Sequence, residues 1–287
     1  MEDNLEKKIK SIKNWRNPFK LNNNEYVKNN SDTFNRDWLF EWGEFQSSYH
    51  SYLINNFVNS IESASIKKMS FLDIGCNEGY HTIQSFKQGF KFATGIDIRA
   101  DAINKANLMK NYYNLKNINF IKENIENLEG KIVPHDISLV SGLMYHLTNP
   151  IETLETISIL TKKFVILATF IYHDFHFLGY TFTKNSSFKL KFENIDLPGS
   201  GAKQLVTVPS QKSIIDVLSF SGFKKIYRYY PYPFFNKAKK QINRTDWAIY
   251  IASKEDFFSN IKRNNSIINI KKIYNPVSLS HQLIEIF

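Results

Sequence analysis

Residues 71–81 read Phe71-Leu72-Asp73-Ile74-Gly75-Cys76-Asn77-Glu78-Gly79-Tyr80-His81, a short apolar run that ends in an acidic residue followed by two glycines four positions apart. The pattern predicts a buried strand, a tight turn and the start of a helix. Glycine permits positive φ and lets a ligand approach the backbone without meeting a Cβ, and the free N–H groups of a helix start can hold a polar ligand. We interpret the stretch as one wall of a nucleotide-type pocket, with a plain tight turn as the alternative.

The chain that follows alternates strand and helix patterns. These patterns cover residues 90–98, 101–115, 118–125, 136–143 and 150–160. Strands that alternate with helices of this length indicate βαβ units and a mostly parallel sheet, whose ligand site lies at the carboxyl ends of the strands. The expected fold class is therefore α/β.

Length and composition set limits on this interpretation. The 287 residues, 43% of them hydrophobic, allow one large α/β domain with appendages or two small ones. The net charge of +10 is consistent with an anionic partner such as RNA or a nucleotide-linked sugar, or with an AT-rich genome. Cys76 is the single cysteine, so no internal disulfide is expected. The longest apolar run, residues 164–172, is too short to span a bilayer, and we expect a cytoplasmic protein.

Two carboxylates restrict the chemical class of the expected ligand. Asp97 ends the second predicted strand, about twenty residues after the glycine turn, where an acidic side chain can accept hydrogen bonds from both ribose hydroxyls. A dinucleotide site usually has Gly-x-Gly-x-x-Gly, whereas this chain has Asp73-x-Gly75-x-x-x-Gly79. A carboxylate before the turn repels a pyrophosphate and suits a ligand that carries an ammonium group and a sulfonium. The pair therefore predicts a nucleoside site for a cationic ligand.

This spacing, with Asp97 and the strand that ends in residues 140–150, resembles the class I S-adenosylmethionine-dependent methyltransferases. The resemblance implies a Rossmann-like sheet with helices on both faces and an antiparallel last strand. It also implies that Asp73 and the glycines flank the methionine moiety, that Asp97 holds the ribose and that Asn124 flanks the adenine, although Asp is more usual at that position and Gly is more usual where Asn77 stands. The cofactor-binding residues expected within the domain are Asp73, Gly75, Asn77, Gly79, Tyr80, Asp97, Ile98, Asn124, Ile125 and Gly142.

A narrower resemblance, from about residue 16 to residue 254, is to the tRNA wobble-uridine carboxymethyltransferases and their relatives. It is carried by residues 75–81, Tyr145-His146, residues 208–210, and an N-terminal arm with Arg16 before Asn-Pro-Phe. That family uses carboxy-S-adenosylmethionine and clamps its extra carboxylate with a cation before the Pro-Phe, the motif Tyr and an Arg before the last strand. Arg16 and Tyr145 match the first two positions, but the third falls on Trp247. The missing cation favours ordinary S-adenosylmethionine and methyl transfer.

Three further side chains are candidates for the acceptor side. His146 is the first candidate for a general base and Tyr145 for orienting the donor or acceptor, whereas His146 could instead pack under the next helix and bond a backbone carbonyl. His173 is the second candidate base. It lies in a His-Asp-Phe-His cluster with too few ligands for a metal site, so no metal is expected. We interpret the Trp38 indole as one side of the cofactor pocket, with packing of its helix on the sheet as the alternative.

The domain boundaries follow from these assignments. We expect an N-terminal helical arm over residues 1–62 and a Rossmann-like domain over residues 63–256. Within the domain, residues 174–207 are an insertion expected to cover the acceptor site, and residues 257–287 are a C-terminal extension. Up to about residue 30 the arm is polar and basic, with Trp15 and Pro18-Phe19 as its only obvious anchors, which predicts a small contribution to the core.

Three functions agree with the sequence. The first is methyl transfer to oxygen or nitrogen of a small-molecule or glycan-type acceptor. The second is a tRNA wobble-uridine transferase, which the narrower resemblance and the net charge favour. The third is a non-catalytic cofactor-binding protein, which the substitutions at Asn77 and Asn124 favour.

Overall fold

The computed structural model describes residues 2–22, 24–27, 66–172, 175–177, 180–182, 186–195, 201, 203–230, 247–255 and 282–285. The chain divides into two compact units, residues 1–123 and residues 124–287. Among the described residues, no helix is long and apolar enough to cross a membrane.

In its described residues, the first unit contains three parallel strands and three helices. In chain order these are α1 (Glu2–Ser11), β1 (Ser70–Ile74), α2 (Tyr80–Lys87), β2 (Phe92–Asp97), α3 (Ala100–Tyr112) and β3 (Ile118–Lys122). β2 pairs with both β1 and β3, so the strand order within this unit is β1-β2-β3. Parallel strands of this kind are buried on both faces, and all five residues of β1 are buried. The carboxyl ends of β1 and β2 therefore carry Asp73 and Asp97 to one edge.

The second unit contains the remaining strands. They are β4 (His135–Ser141), β5 (Thr161–Phe170), β6 (Phe175–Phe177), β7 (Tyr180–Phe182), β8 (Phe188–Phe192), β9 (Leu205–Pro209), β10 (Lys225–Tyr230), β11 (Trp247–Ser253) and β12 (Gln282–Glu285). β4 and β5 are parallel, while β11 pairs antiparallel with β5 and β10 pairs antiparallel with β11 and β12. β6 with β7, and β8 with β9, form two separate antiparallel hairpins.

The helices in the described part of the second unit are short. They are α4 (Pro150–Leu160), α5 (Gln211–Phe220) and two 3-10 helices, Ile125–Asn127 and Met144–His146. The Ser210 hydroxyl accepts the Ser213 N–H at 3.1 Å and caps α5. The predicted antiparallel last strand is confirmed, because β11 runs antiparallel to β5.

The N-terminal arm differs from the prediction. Ile9, Trp15, Phe19, Leu21 and Val27 are all buried, so the expectation of a small contribution to the core is wrong. The isolated apolar residues of a polar segment did not show the helical or strand period on which that expectation was based. Their burial comes from packing on the rest of the unit, which α1 reaches by contact with α3.

Candidate active site

The glycine turn after β1 adopts the conformation for which glycine is used. Gly75, Asn77 and Gly79 have φ of 76°, 51° and 77°, all in the left-handed region. The N–H groups of Gly75 and Cys76 both donate to the Ile96 carbonyl at 2.8 Å, which fixes the turn to the end of β2. Asparagine tolerates this region better than other side chains, and this explains how Asn77 occupies a position where glycine is commoner.

The glycine at the start of α2 also makes room for another side chain. A Cβ on Gly79 would lie 2.4 Å from Cε1 of Phe120, and a Cβ on Gly95 would lie 2.7 Å from the same ring. Both distances are far below a normal carbon contact. The two glycines are therefore required for packing Phe120, in addition to any role toward a ligand.

Asp73 is buried in β1 and is held by the first turn of α2. Its Oδ2 accepts a hydrogen bond from Thr82 Oγ1 at 2.7 Å. Burial raises the pKa of Asp73 to about 7, although the bonds from Thr82 oppose the increase. The carboxyl group therefore changes charge near neutral pH in the ligand-free protein.

Asp97 is fully occupied by hydrogen-bond donors. Its Oδ1 accepts the backbone N–H and Nε of Arg99, both at 3.0 Å. Its Oδ2 accepts the Asn77 N–H at 2.8 Å and Nη2 of Arg99 at 3.0 Å. Burial raises the pKa of Asp97, but the bonds and charge of Arg99 outweigh it and hold the pKa below its usual value. Arg99 was not among the predicted site residues, and its signal in the sequence is its position two residues after the acid that ends β2.

The N-terminal arm is joined to the turn by Glu78. This buried carboxylate accepts the Arg16 N–H at 2.9 and 3.0 Å and the Asn17 N–H at 3.2 Å, and Lys105 lies 3.5 Å away. Burial raises its pKa, against the charges of Lys105 and Arg16. The backbone of Arg16 therefore lies beside the glycine turn, and the cofactor-binding role of its side chain stays a prediction.

Tyr80 and Ile98 take different positions in the first unit. The Tyr80 ring packs against Phe19 of the arm with centroids 5.2 Å apart. Ile98, directly after Asp97, is 41% exposed. The predicted place of this side chain against a ligand stays a prediction.

In the second unit, Asn124 works as a helix cap. Its side-chain oxygen accepts the Glu126 N–H at 3.2 Å, and its Nδ2 donates to Glu126 Oε2 at 3.0 Å. Lys203 completes the group, with Nζ 2.8 Å from Glu126 Oε1. Ile125 is buried, and Gly142 has φ of 71° after the end of β4. An Asp in place of Asn124 would cap the same turn, so the substitution leaves this local structure intact.

Tyr145 belongs to an aromatic cluster. Its ring lies 4.8 Å from that of Phe170 and 6.3 Å from that of Trp247, and the last two rings are 4.8 Å apart. Trp247 stands where the narrower resemblance implies a cation, and its ring lies at the edge of this aromatic cluster.

His146 is paired with a carboxylate that the sequence did not suggest. His146 Nδ1 lies 2.7 Å from Oε2 of Glu193, which also accepts the Gly201 N–H at 3.1 Å. A Cβ on Gly201 would lie 2.8 Å from the His146 carbonyl oxygen, so the glycine permits this approach. Glu193 is separated from His146 by 47 positions and lies within the insertion, directly after β8, and no local pattern marks it. Nδ1 of His146 therefore bonds a carboxylate and not a backbone carbonyl, which was the alternative expected from the sequence.

Two predicted site residues, Trp38 and His173, lie outside the described residues, and the roles predicted for them stay predictions. In the described part of the chain, no group of three or more His, Cys, Asp and Glu side chains is placed to hold a metal ion.

Comparison with known proteins agrees with this fold. A family model described as "Methyltransferase domain" matches residues 65–220. The chain belongs to this methyltransferase family, as the sequence predicted.

Two curated relatives are similar over part of the chain. Both are named tRNA U34 carboxymethyltransferase. The protein from Wolinella succinogenes is 28% identical over 118 residues, 37% of this chain and 42% of the relative. The protein from Campylobacter fetus is 26% identical over 155 residues, 54% of this chain and 47% of the relative. The chain therefore matches less than half the length of either relative.

Solved structures extend the similarity to most of the chain. The N-terminal domain of EvdMO1 with SAH bound has a TM-score of 0.68 at 17% identity, over 89% of this chain and 98% of that domain. Magnesium protoporphyrin IX methyltransferase from Synechocystis with bound SAM has a TM-score of 0.52 at 12% identity, over 78% of this chain and 87% of that enzyme. The predicted class I methyltransferase fold is confirmed.

Proposed function

We propose that this protein is an S-adenosylmethionine-dependent methyltransferase that transfers a methyl group to oxygen or nitrogen of a small-molecule or glycan-type acceptor. The observation that carries the proposal is the His146–Glu193 pair at 2.7 Å. An O–H or N–H acceptor must lose a proton during methylation, and a histidine held by a carboxylate is suited to remove it. Membership of the methyltransferase family supplies the class of reaction.

The first unit provides groups that fit the cofactor. S-adenosylmethionine, when bound, supplies an electrophilic methyl group on its sulfonium. Asp97 would accept the ribose hydroxyls, and the anionic form of Asp73 would favour the positive charges of the methionine moiety. Gly75 and Gly79 keep the backbone of the turn free of a Cβ. These residues would bind and orient the donor, and orientation is the main requirement of a displacement reaction.

His146 and Glu193 divide the acid–base work. Glu193 accepts a hydrogen bond from the Nδ1–H of His146, and this leaves Nε2 of His146 as the proton acceptor. Burial raises the pKa of Glu193, but the bonds from His146 and Gly201 and the charge of Lys191 outweigh it and lower the pKa below its usual value. Glu193 is therefore ionised at neutral pH and stabilises the imidazolium that forms when His146 accepts a proton.

Trp247 favours methyl over carboxymethyl transfer. A carboxylate on the donor needs a cation or several hydrogen bonds once it is buried, at a cost of several kcal/mol when they are absent. Trp247 instead packs on Phe170 and Tyr145. Arg244, the nearest basic residue in sequence, lies outside the described residues.

The acceptor class rests on two different observations. The EvdMO1 N-terminal domain, similar over 88% of this chain, was crystallised in the presence of SAH and D-fucose, which favours a glycan-type acceptor. The two curated relatives act on tRNA by name, and the net charge of +10 suits a polyanion, so tRNA is the second candidate.

The first experiment identifies the donor. The purified protein is denatured, and the mass of any released nucleoside is measured. S-adenosylmethionine or its demethylated product supports the proposal, whereas carboxy-S-adenosylmethionine supports the tRNA transferase. Calorimetry with added S-adenosylmethionine follows, using Asp97→Ala and the exposed Asp101→Ala as a matched pair. Binding that survives Asp97→Ala contradicts the ribose assignment.

The acceptor is then assayed by release of S-adenosylhomocysteine from a panel of sugars, small molecules and bulk tRNA. Turnover with tRNA only, with affinity that falls steeply as salt rises, would replace the small-molecule acceptor by RNA. Cofactor binding without turnover on any member of the panel would favour the non-catalytic protein.

A further inference from the structure

The carboxylate of Asp97 has no acceptor site left for a ribose. An ionised carboxylate offers about four lone-pair positions. Arg99 fills two of them with its guanidinium, through Nε at 3.0 Å and Nη2 at 3.0 Å, and the N–H groups of Arg99 and Asn77 fill the other two. A ribose diol that donates two hydrogen bonds to Asp97 must displace two of these donors.

Only the guanidinium can leave without a change in the backbone. The Asn77 N–H belongs to the glycine turn, and the Arg99 N–H belongs to the residue that precedes α3. The Arg99 side chain is 35% exposed and contributes no cap hydrogen bond to α3, so its rotation leaves the helix start unchanged. Its remaining hydrogen bond, from Nη2 to Asn77 Oδ1 at 3.2 Å, joins two half-exposed side chains.

We propose that the Arg99 side chain is a displaceable gate on the ribose subsite. Its guanidinium leaves Asp97 when a ribose diol binds and returns to Asp97 when the diol departs. The inference rests on the proposed function, because it takes the ligand of Asp97 to be an adenine nucleoside. The guanidinium and the diol compete for the same two lone-pair positions, so the gate weakens nucleoside binding. The returning ion pair favours release of the demethylated product, a step that often limits turnover.

The test compares nucleoside binding to the full chain with and without the guanidinium. The probes are 5′-methylthioadenosine, which carries the ribose diol, and its 2′,3′-dideoxy analogue. Arg99→Ala is expected to lower the Kd for 5′-methylthioadenosine about tenfold, since the diol no longer competes with charged hydrogen bonds. Arg99→Lys, which can replace only part of the contact, is expected to give an intermediate Kd. The dideoxy analogue leaves the Arg99–Asp97 pair in place, so its Kd is expected to be equal for wild type and variants.

A second measurement uses the wild-type protein and does not depend on a variant that folds. The Nε–H resonance of Arg99, assigned by its loss in Arg99→Lys, is expected to shift toward that of a solvated arginine when 5′-methylthioadenosine is added, and to stay in place with the dideoxy analogue. An unchanged resonance with both probes, or an Arg99→Ala Kd equal to or above that of wild type, overturns the gate. Wild-type protein that binds neither S-adenosylmethionine nor 5′-methylthioadenosine overturns the proposed function itself.

Discussion

The Glu78 carboxylate accepts the Arg16 N–H through both of its oxygens, at 2.9 and 3.0 Å, although the two residues are 62 positions apart. Glu78 sits in the middle of the turn expected to meet a ligand, yet this buried side chain points its charge at the N-terminal arm. Trp15 and Phe19, on either side of the bonded residues, are fully buried. One turn therefore serves both the predicted cofactor wall and the attachment of the arm.

Removal of this carboxylate is expected to loosen the arm. Glu78→Ala leaves the N–H groups of Arg16 and Asn17 without their acceptor, at a cost of about 2–4 kcal/mol in the free energy of unfolding. Urea denaturation measures the change. Glu129→Ala, at an exposed carboxylate, is the matched control and is expected to stay within about 0.5 kcal/mol of wild type. A Glu78→Ala value as small as that of the control would contradict the anchoring role.

The acid–base pair gives a kinetic prediction. His146→Ala is expected to lower kcat by about 10²–10⁴-fold, the usual contribution of a general base, with the Kd for S-adenosylmethionine unchanged. Glu193→Gln keeps the size of the side chain but removes its charge, and a loss of about tenfold in kcat is expected.

The controls for this prediction separate chemistry from folding. Glu155→Gln changes a carboxylate on α4 and is expected to leave kcat unchanged. Full kcat in His146→Ala would place the base elsewhere. Equal losses of kcat and of cofactor affinity in Glu193→Gln would mean that Glu193 only supports the structure around Gly201.

The parts of the site that the sequence predicted are those with local causes. Asp73, Gly75, Gly79 and Asp97 each follow from the end of a strand or from a turn, where the neighbouring residues decide the conformation. Glu193 reaches His146 from the end of β8, 47 positions away, and such a long-range contact leaves no local pattern in the sequence. The burial of the arm around its anchors Trp15 and Phe19 was underestimated for a similar reason, because a short irregular arm has no repeat that reveals its buried face. The fold was predictable for the opposite reason, since βαβ alternation is periodic over more than one hundred residues.

Asp73 gives a prediction of stability against pH. Its pKa in the folded protein, about 7, lies above the ordinary aspartate value of 3.8. The folded state therefore holds a proton that the unfolded chain releases, and stability is greatest below the unfolded pKa and is lost as pH rises through 7. Asp73→Asn removes this loss while keeping an oxygen that can accept from Thr82.

The free energy of unfolding of Asp73→Asn minus that of wild type is therefore expected to be about 2–4 kcal/mol larger at pH 8 than at pH 4. Urea denaturation at the two pH values measures this gain. Asp101→Asn, at an exposed aspartate, is the control and is expected to show no such pH-dependent difference. A difference between Asp73→Asn and wild type that is the same at both pH values would contradict an elevated pKa.

Gly79 separates the cost of backbone strain from that of a steric clash. Gly79 and Gly130 have nearly equal φ, 77° and 73°, but a Cβ on Gly79 would lie 2.4 Å from the Phe120 ring while a Cβ on Gly130 would meet nothing within 4 Å. Gly130→Ala is expected to cost about 1–2 kcal/mol for the left-handed conformation alone. Gly79→Ala is expected to cost at least about 2 kcal/mol more, because Phe120 is buried and must shift. Thermal and urea denaturation of both variants measure the difference.

The double variant Gly79→Ala/Phe120→Leu shortens the clashing side chain and should recover part of the lost stability. Equal costs for the two single variants would mean that Phe120 moves aside freely.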